Sequence, residues 1–393
     1  MRKWLGSVAC AILLVGLTAA CGARDEAGVN DATYNVGVLL DQTGVSGYQG
    51  VPTGAGIQAY VKMINDKGGV NGKRIELQVA DGQSKPQGAQ TALQQLLSSR
   101  PIAVLGFTGS SQMAAIPQLA SSARIPFLME ISTDSQMLPK PQPWLFTTYM
   151  PTAKMMEIIL AQLEQKLGTL KGKRLAVSAA DTPFGDGFVQ SFKDSATALG
   201  YTPALVDRAA LQLTTFAPNA AKVVSSKADA LIVLDLPSLT PQIVKDTIAA
   251  GFAGPILGYE QASDPAIIKA VASPQYSGFL GAAQPAPSGE MADAAKVAGI
   301  AEKMTTPNFS YGWSEGAILV KALTDCGASC DGAKLTDELE RISGFTVPGD
   351  AMYGPISFSP ANHYATSTAQ FYTWDPATQN VVTAGKPVSL PKQ

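Results

Sequence analysis

Two hydrophobic rhythms alternate along this chain from residue 34 almost to its end. Short apolar or strand-like runs stand at 34–40, 74–80, from 102, at 125–130, 174–179, 230–234, 255–257 and 277–283. Apolar runs of this length without alternation suit strands covered on both faces. Between them apolar residues recur at three- and four-residue steps, as at Ile57, Tyr60, Val61 and Ile64, or at Met156, Ile159, Leu160, Leu163 and Leu167. That spacing predicts amphipathic helices. Strand and helix in strict turn imply parallel sheets with right-handed crossovers, so the fold class is α/β.

Breaks in the rhythm divide the chain. Pro139, Pro141 and Pro143 interrupt it before 144–149, and a second strand-helix series starts after residue 150. The proline-rich 284–288 reads as a crossover leading back. Helices are predicted around 289–303, 314–323 and 334–342, and strands at 353–358 and 366–374. Two successive stretches of the same alternation predict two similar lobes, although no residue-level repeat links them.

The N-terminus follows neither rhythm. Arg2 and Lys3 precede an apolar stretch at 5–17 and then Thr18, Ala19, Ala20 and Cys21. A basic start, a short apolar middle and small residues predict a secretory leader over 1–20. A cysteine directly after the small residues resembles a lipobox, so Cys21 is the expected lipidation site, with 21–33 as anchor and tether. Thr18 stands where such boxes more often carry leucine. Ordinary secretion with the cysteine retained is the alternative.

Composition narrows the chemistry. The 29 basic residues, two of them in the leader, face 31 acidic ones, and no basic stripe exists to hold nucleic acid. Cys326 and Cys330 lie in a turn-like segment that should meet an oxidising exterior, so a local disulfide is expected rather than a metal site. The one histidine, His363, leaves Ser-His-Asp, Cys-His and histidine-metal chemistry without a partner. No P-loop, no G-x-S-x-G and no complete dinucleotide fingerprint occurs. Paired carboxylates need no histidine, but no spacing here places two together. An enzyme is therefore not expected, and neither a cofactor nor a metal is implied.

The stretch from 102 reads as buried strand, turn and helix start, with Gly106 and Gly109 in the turn and Ser110 or Ser111 as N-cap. Free amides at a helix start beyond a parallel strand can receive a carboxylate. Capping alone is the plainer account of the two serines.

Taken together, several segments resemble the type I periplasmic binding proteins of the leucine/isoleucine/valine-binding family, the extracytoplasmic receptors of ABC importers. The segments are Gln42-Thr43-Gly44 with Tyr48; 64–73; Gly109-Ser110-Ser111; Asp181-x-x-Phe184-Gly185-x-Gly187; and Gly354-Pro355-Ile356-Ser357-Phe358. The resemblance implies two lobes joined by three crossover segments, closing over a ligand in the cleft. Lobe one would comprise 34–150 and 284–360, and lobe two 151–283 and 361–393.

Residue by residue, the resemblance gives Ser110 and neighbouring amides an amino acid's carboxylate, and Glu260 its ammonium. Tyr48 becomes a cleft aromatic, and Ser132 and Asp134 fall on a loop that offers polar groups to the ammonium. Asp134 stands in place of threonine, and Phe184 and Leu236 in place of tyrosines. Trp313 is a further candidate for a cleft wall. Without the resemblance Glu260 reads as a solvated helix start, Asp134 as a loop cap, and Phe184 and Leu236 as core. The implied function is a lipid-anchored, monomeric solute receptor partnered by an ABC permease. Its ligand is an amino acid or, given the lost tyrosine hydroxyls and the extra carboxylate, an aromatic acid, amide or other nitrogenous solute. A ligand sensor is the remaining alternative.

Overall fold

A computed structural model describes residues 1, 32–113, 117–130, 140–210, 214–281, 288–304 and 306–390. Cys21, Ser132, Asp134 and most of the proline-rich crossover lie outside them.

The first sheet takes five parallel strands in the order β2-β1-β3-β4-β5. They are β1 (Thr33–Leu40), β2 (Arg74–Asp81), β3 (Ala103–Phe107), β4 (Phe127–Met129) and β5 (Leu145–Thr147). β3, β4 and β5 are buried at every residue, which is why they read as unbroken apolar runs. β1 leads through helix α1 (Gly47–Asp66) to β2, and β2 through α2 (Pro86–Ser98) to β3. Because β2 and β3 flank β1 on opposite sides, the chain reverses direction across the sheet between β1 and β3. At such a switch point the loops diverge and leave a crevice beyond the strand ends.

The second sheet repeats the device. β6 (Arg174–Ala180), β7 (Thr202–Ala209), β8 (Ala230–Leu234), β9 (Ile256–Gly258) and β10 (Tyr276–Leu280) run parallel in the order β10-β9-β8-β6-β7. Its switch point falls between β6 and β8. β11 (Thr368–Asp375) then adds antiparallel to β10, and β12 (Asn380–Thr383) to β11, so the chain's end completes this sheet. The match of alternation between the two halves is therefore architectural.

Two passages between the sheets lie side by side. Thr147 N–H donates to the His363 carbonyl at 2.9 Å, and Ala365 N–H donates to the Thr147 carbonyl at 2.8 Å. His363 is 1 % exposed. Its Nδ1 is 2.8 Å from the Leu145 carbonyl, Nε2 is 3.1 Å from Glu340, and the ring stacks on Phe146. Burial outweighs these partners and holds its pKa below the usual histidine value. The lone histidine therefore fastens the passages together.

A long helix late in the chain, Asn308–Cys326, packs against α1 of the first sheet. Its backbone approaches so closely that a Cβ on Gly312 would stand 1.9 Å from the Thr53 carbonyl oxygen. Glycine is required there by contact, since any side chain would separate the two helices. Trp313 is consumed by this interface: it is fully buried, meets Tyr60 edge-on at 4.8 Å and donates to the Pro348 carbonyl at 2.8 Å. It is core and lines no cleft. Residues 353–358, expected as a strand, form only an isolated bridge between Phe345 and Ile356, because Gly354 and Pro355 break the ladder. Cys326 and Cys330 are joined by a disulfide at the end of the same helix.

Candidate functional site

The two switch points face each other, and a hollow of about 270 Å3 lies between them. Phe107, Gly109, Ser110, Ser111 and Gln112 line it from the first sheet. Ala180, Thr182, Phe184, Leu234 and Leu236 line it from the second. Phe184 is a side wall, edge-on to Phe188 at 5.0 Å and 5.5 Å from Tyr259. Leu236 is half-buried there, Ser110 is buried and Ser111 is exposed. A second hollow of about 230 Å3 shares Tyr48 and Gln261 with the first. Glu260 lines this second hollow together with Tyr149, Asn308, Tyr311, Leu280, Ile267 and Asp264. Ser110 and Glu260 thus border adjoining hollows rather than one common surface.

The turn at Ser110 carries an anion of its own. Asp41, directly after β1, is fully buried, and its Oδ2 accepts from Gly109 N–H at 3.1 Å and from Gln112 Nε2 at 3.2 Å. Thr108 Oγ1 donates to the same oxygen at 3.3 Å, and Ser84 N–H donates to Oδ1 at 3.0 Å. Burial pushes its pKa up, and these donors pull it back down. Helix starts attract carboxylates; here the attracted carboxylate belongs to the chain. The helix itself is described only over Ser110–Met113.

Glu260 is set differently. It opens a 3₁₀ turn, Glu260–Ser263, immediately beyond β9. Its Oε1 accepts from Gly281 N–H at 2.6 Å and from the Tyr311 hydroxyl. A Cβ at position 281 would sit 2.6 Å from that oxygen, so glycine is what lets the amide reach it. Oε2 is buried without a hydrogen-bond partner. Glu260 is 1 % exposed, and desolvation raises its pKa to about 8.

Behind Tyr149 and Asn308 lies a second acid, Glu130, placed by the end of β4. It touches Thr53, Asn308 and, at 3.0 Å, the Tyr149 hydroxyl. Thr53 has one hydroxyl hydrogen, and that hydroxyl also meets the Gln49 carbonyl at 2.9 Å. The proton between Thr53 and Glu130 is then supplied by the acid, which is consistent with a pKa raised to about 8, chiefly by burial. The charge of Glu260 adds to the cost of ionising Glu130, and the stacked Tyr149 and Tyr311, 4.5 Å apart, stand between their oxygens.

Sequence reasoning gave Asp41, Glu130, Tyr149, Tyr311, Asn308 and Gln261 no role. The signal for the two acids was present: each directly follows a buried strand at its carboxyl end, where ligand crevices form. The amide partner of Glu130, Asn308, comes from a helix start 178 residues further on, which no local pattern links to the fourth strand. Among the described residues no group of acids, histidines and cysteines could hold a metal ion, and no helix is long and apolar enough to cross a membrane.

Comparison with known proteins gives this geometry its context. No curated protein matches the chain in sequence. Solved structures do resemble it. A fatty acid ABC transporter substrate-binding protein from Thermomonospora curvata superposes with a TM-score of 0.76 at 21% identity, covering 94% of this chain and 95% of its own. A branched-chain amino acid ABC transporter protein from Thermus thermophilus, with bound valine, gives 0.77 at 17%, covering 91% and 96%. The branched-chain amino acid transporter substrate-binding protein LivJ from Streptococcus pneumoniae, in complex with isoleucine, gives 0.75 at 20%, covering 91% and 99%. At these identities the likeness establishes the type I fold. The family model described as periplasmic binding protein matches residues 33–380, and the chain belongs to that family.

Proposed function

We propose that this protein is the extracytoplasmic solute-binding component of an ABC importer, anchored through a lipid on Cys21 and acting as a monomer without chemical turnover. The lobes would be 34–150 with 284–360 and 151–283 with 361–393, closing over a small solute whose nitrogen head docks on Glu260. One observation carries the reading: a buried carboxyl oxygen, Glu260 Oε2, borders a hollow between the two sheets and has no partner in the protein. A buried acceptor left unpaired costs about 1–3 kcal/mol, which a donating ligand would recover. Family membership and the fold's neighbours, which include amino acid and fatty acid transporter substrate-binding proteins, support transport.

Titration calorimetry with amines, amides and amino acids tests the reading. Binding by the wild type, weakened about 100-fold in Glu260→Gln, is the expected result. Equal affinity in the variant would remove the docking role. Release of a Cys21→Ser protein into the medium, against membrane retention of the wild type, is expected of the anchor.

A further inference from the structure

The solute-binding reading leaves the ligand's charge open, and the structure narrows it. We infer that the solute carries an N–H-bearing head and an apolar body, and no carboxylate. This rests on the proposed function and adds to it.

Three observations converge. First, the anion-receiving turn described at the cleft is partly filled from within: Asp41 already takes the Gly109 amide, the Gln112 amide and the Thr108 hydroxyl. A ligand carboxylate at Ser110 would lie beside a buried like charge and would lack those donors. Second, neither hollow has a lysine, arginine or histidine among its described lining residues. Arg208, whose charge acts on the buried Asp235 behind Leu234 and Leu236, is held by Asp181 at 3.1 Å and Asp186 at 2.8 Å. A ligand carboxylate would have to rest on neutral hydroxyls and amides alone, and the Gly109, Gln112 and Thr108 donors are already committed to Asp41. Third, what the hollows do offer is acids and apolar walls. Glu260 Oε2 waits for a donor, Gln261 Nε2 is a buried donor without a partner, and Leu280, Ile267 and Pro307 supply the apolar wall.

An ammonium head docks on the ionised form of Glu260, the acid's proton leaving to solvent as it binds. A primary amide satisfies Glu260 through N–H and Gln261 through its carbonyl. An amino acid or a fatty acid satisfies part of this set but brings a negative end that nothing receives.

The test is calorimetry on the purified protein, dialysed free of solute, with four probes sharing one branched body. The probes are 3-methylbutylamine, 4-methylpentanamide, leucine and 4-methylpentanoate. The amine or the amide is expected to bind at least tenfold tighter than leucine and the acid. Tighter or equal binding of leucine or the acid would overturn this inference and leave solute binding standing. If none binds, mass spectrometry of the solute released from the undialysed protein decides. A solute without a carboxylate supports the inference, a carboxylic acid overturns it, and the absence of any solute overturns both readings. Asp41→Ser, which frees the Gly109 amide and removes the charge, is expected to gain leucine affinity about tenfold. No gain in a folded variant would overturn the role assigned to Asp41.

Discussion

Asp41 and Glu260 are buried acids of opposite lobes, each just past a parallel strand and each out of contact with water, yet their surroundings are opposite. Asp41 is saturated by four donors from three segments of its own lobe. Glu260 has donors on one oxygen and none on the other. Asp41 is thus satisfied within its own lobe, while Glu260 keeps an open valence. Recognition chemistry in this molecule is concentrated where hydrogen bonding is incomplete, and rigidity where it is complete.

The largest effect expected from breaking this asymmetry is at Glu260. Glu260→Gln retains an oxygen for the Gly281 amide and the Tyr311 hydroxyl, so the fold should persist. A charged hydrogen bond is lost, worth about 1.5–3 kcal/mol, and affinity for a cationic solute should fall about 100-fold by calorimetry. On the saturated side, Asp41→Asn replaces an acceptor with a donor facing the Gly109 and Gln112 amides. The expected cost is about 2 kcal/mol of folding stability, read by urea denaturation, with the amine affinity changed less than threefold. A reversal of the two outcomes would mean that the lobes have exchanged roles.

Protonation separates the regions further. Glu130 and Glu260, with pKa values near 8 in the folded protein, hold protons that the unfolded chain releases near 4.5. Between those values the folded state binds more protons, so stability falls as pH rises. Each group alone costs about 2 kcal/mol between pH 6.5 and 8. His363 acts in the other direction, since its lowered pKa makes the folded protein lose stability as pH falls through 6.5. Thermal melts of the solute-free protein should therefore pass through a maximum on the mildly acidic side and decline by a few degrees toward pH 8.5. Glu260→Gln should flatten the alkaline decline. An unflattened decline would place the responsible protons elsewhere.

How much of this was legible beforehand follows from the range over which each feature is determined. The strand at 230–234 was readable to the residue because burial on both faces demands an unbroken apolar run. The helix carrying Ile57, Tyr60, Val61 and Ile64 was legible from its period, but its start at Gly47, ahead of Pro52, was not. Glu260 could be singled out only through family resemblance. Asp41 and Glu130 escaped because their meaning is non-local: Asp41 acts on a turn 68 residues away and Glu130 on a helix start 178 residues away. Trp313 misled for the complementary reason, because an aromatic on a predicted helix carries no mark of which face it turns. Patterning reports which face is buried; it does not report which polar group another polar group will find.

Ser110 gives the smallest expected effect and the sharpest use of the comparison. Its hydroxyl borders the larger hollow, beside a turn whose Gly109 amide and Gln112 side chain are already taken by Asp41. If the first lobe contributes shape rather than charge, Ser110→Ala removes one neutral hydroxyl from a partly open wall. Such a loss is worth about 0.5 kcal/mol, which is about a twofold change in affinity. A carboxylate seated on that turn would instead depend on the hydroxyl through a charged hydrogen bond, and the same substitution would then weaken binding ten- to hundredfold. Calorimetry of Ser110→Ala with the tightest probe therefore distinguishes a turn that only frames the solute from one that grips it. The saturation of Asp41 requires the twofold result.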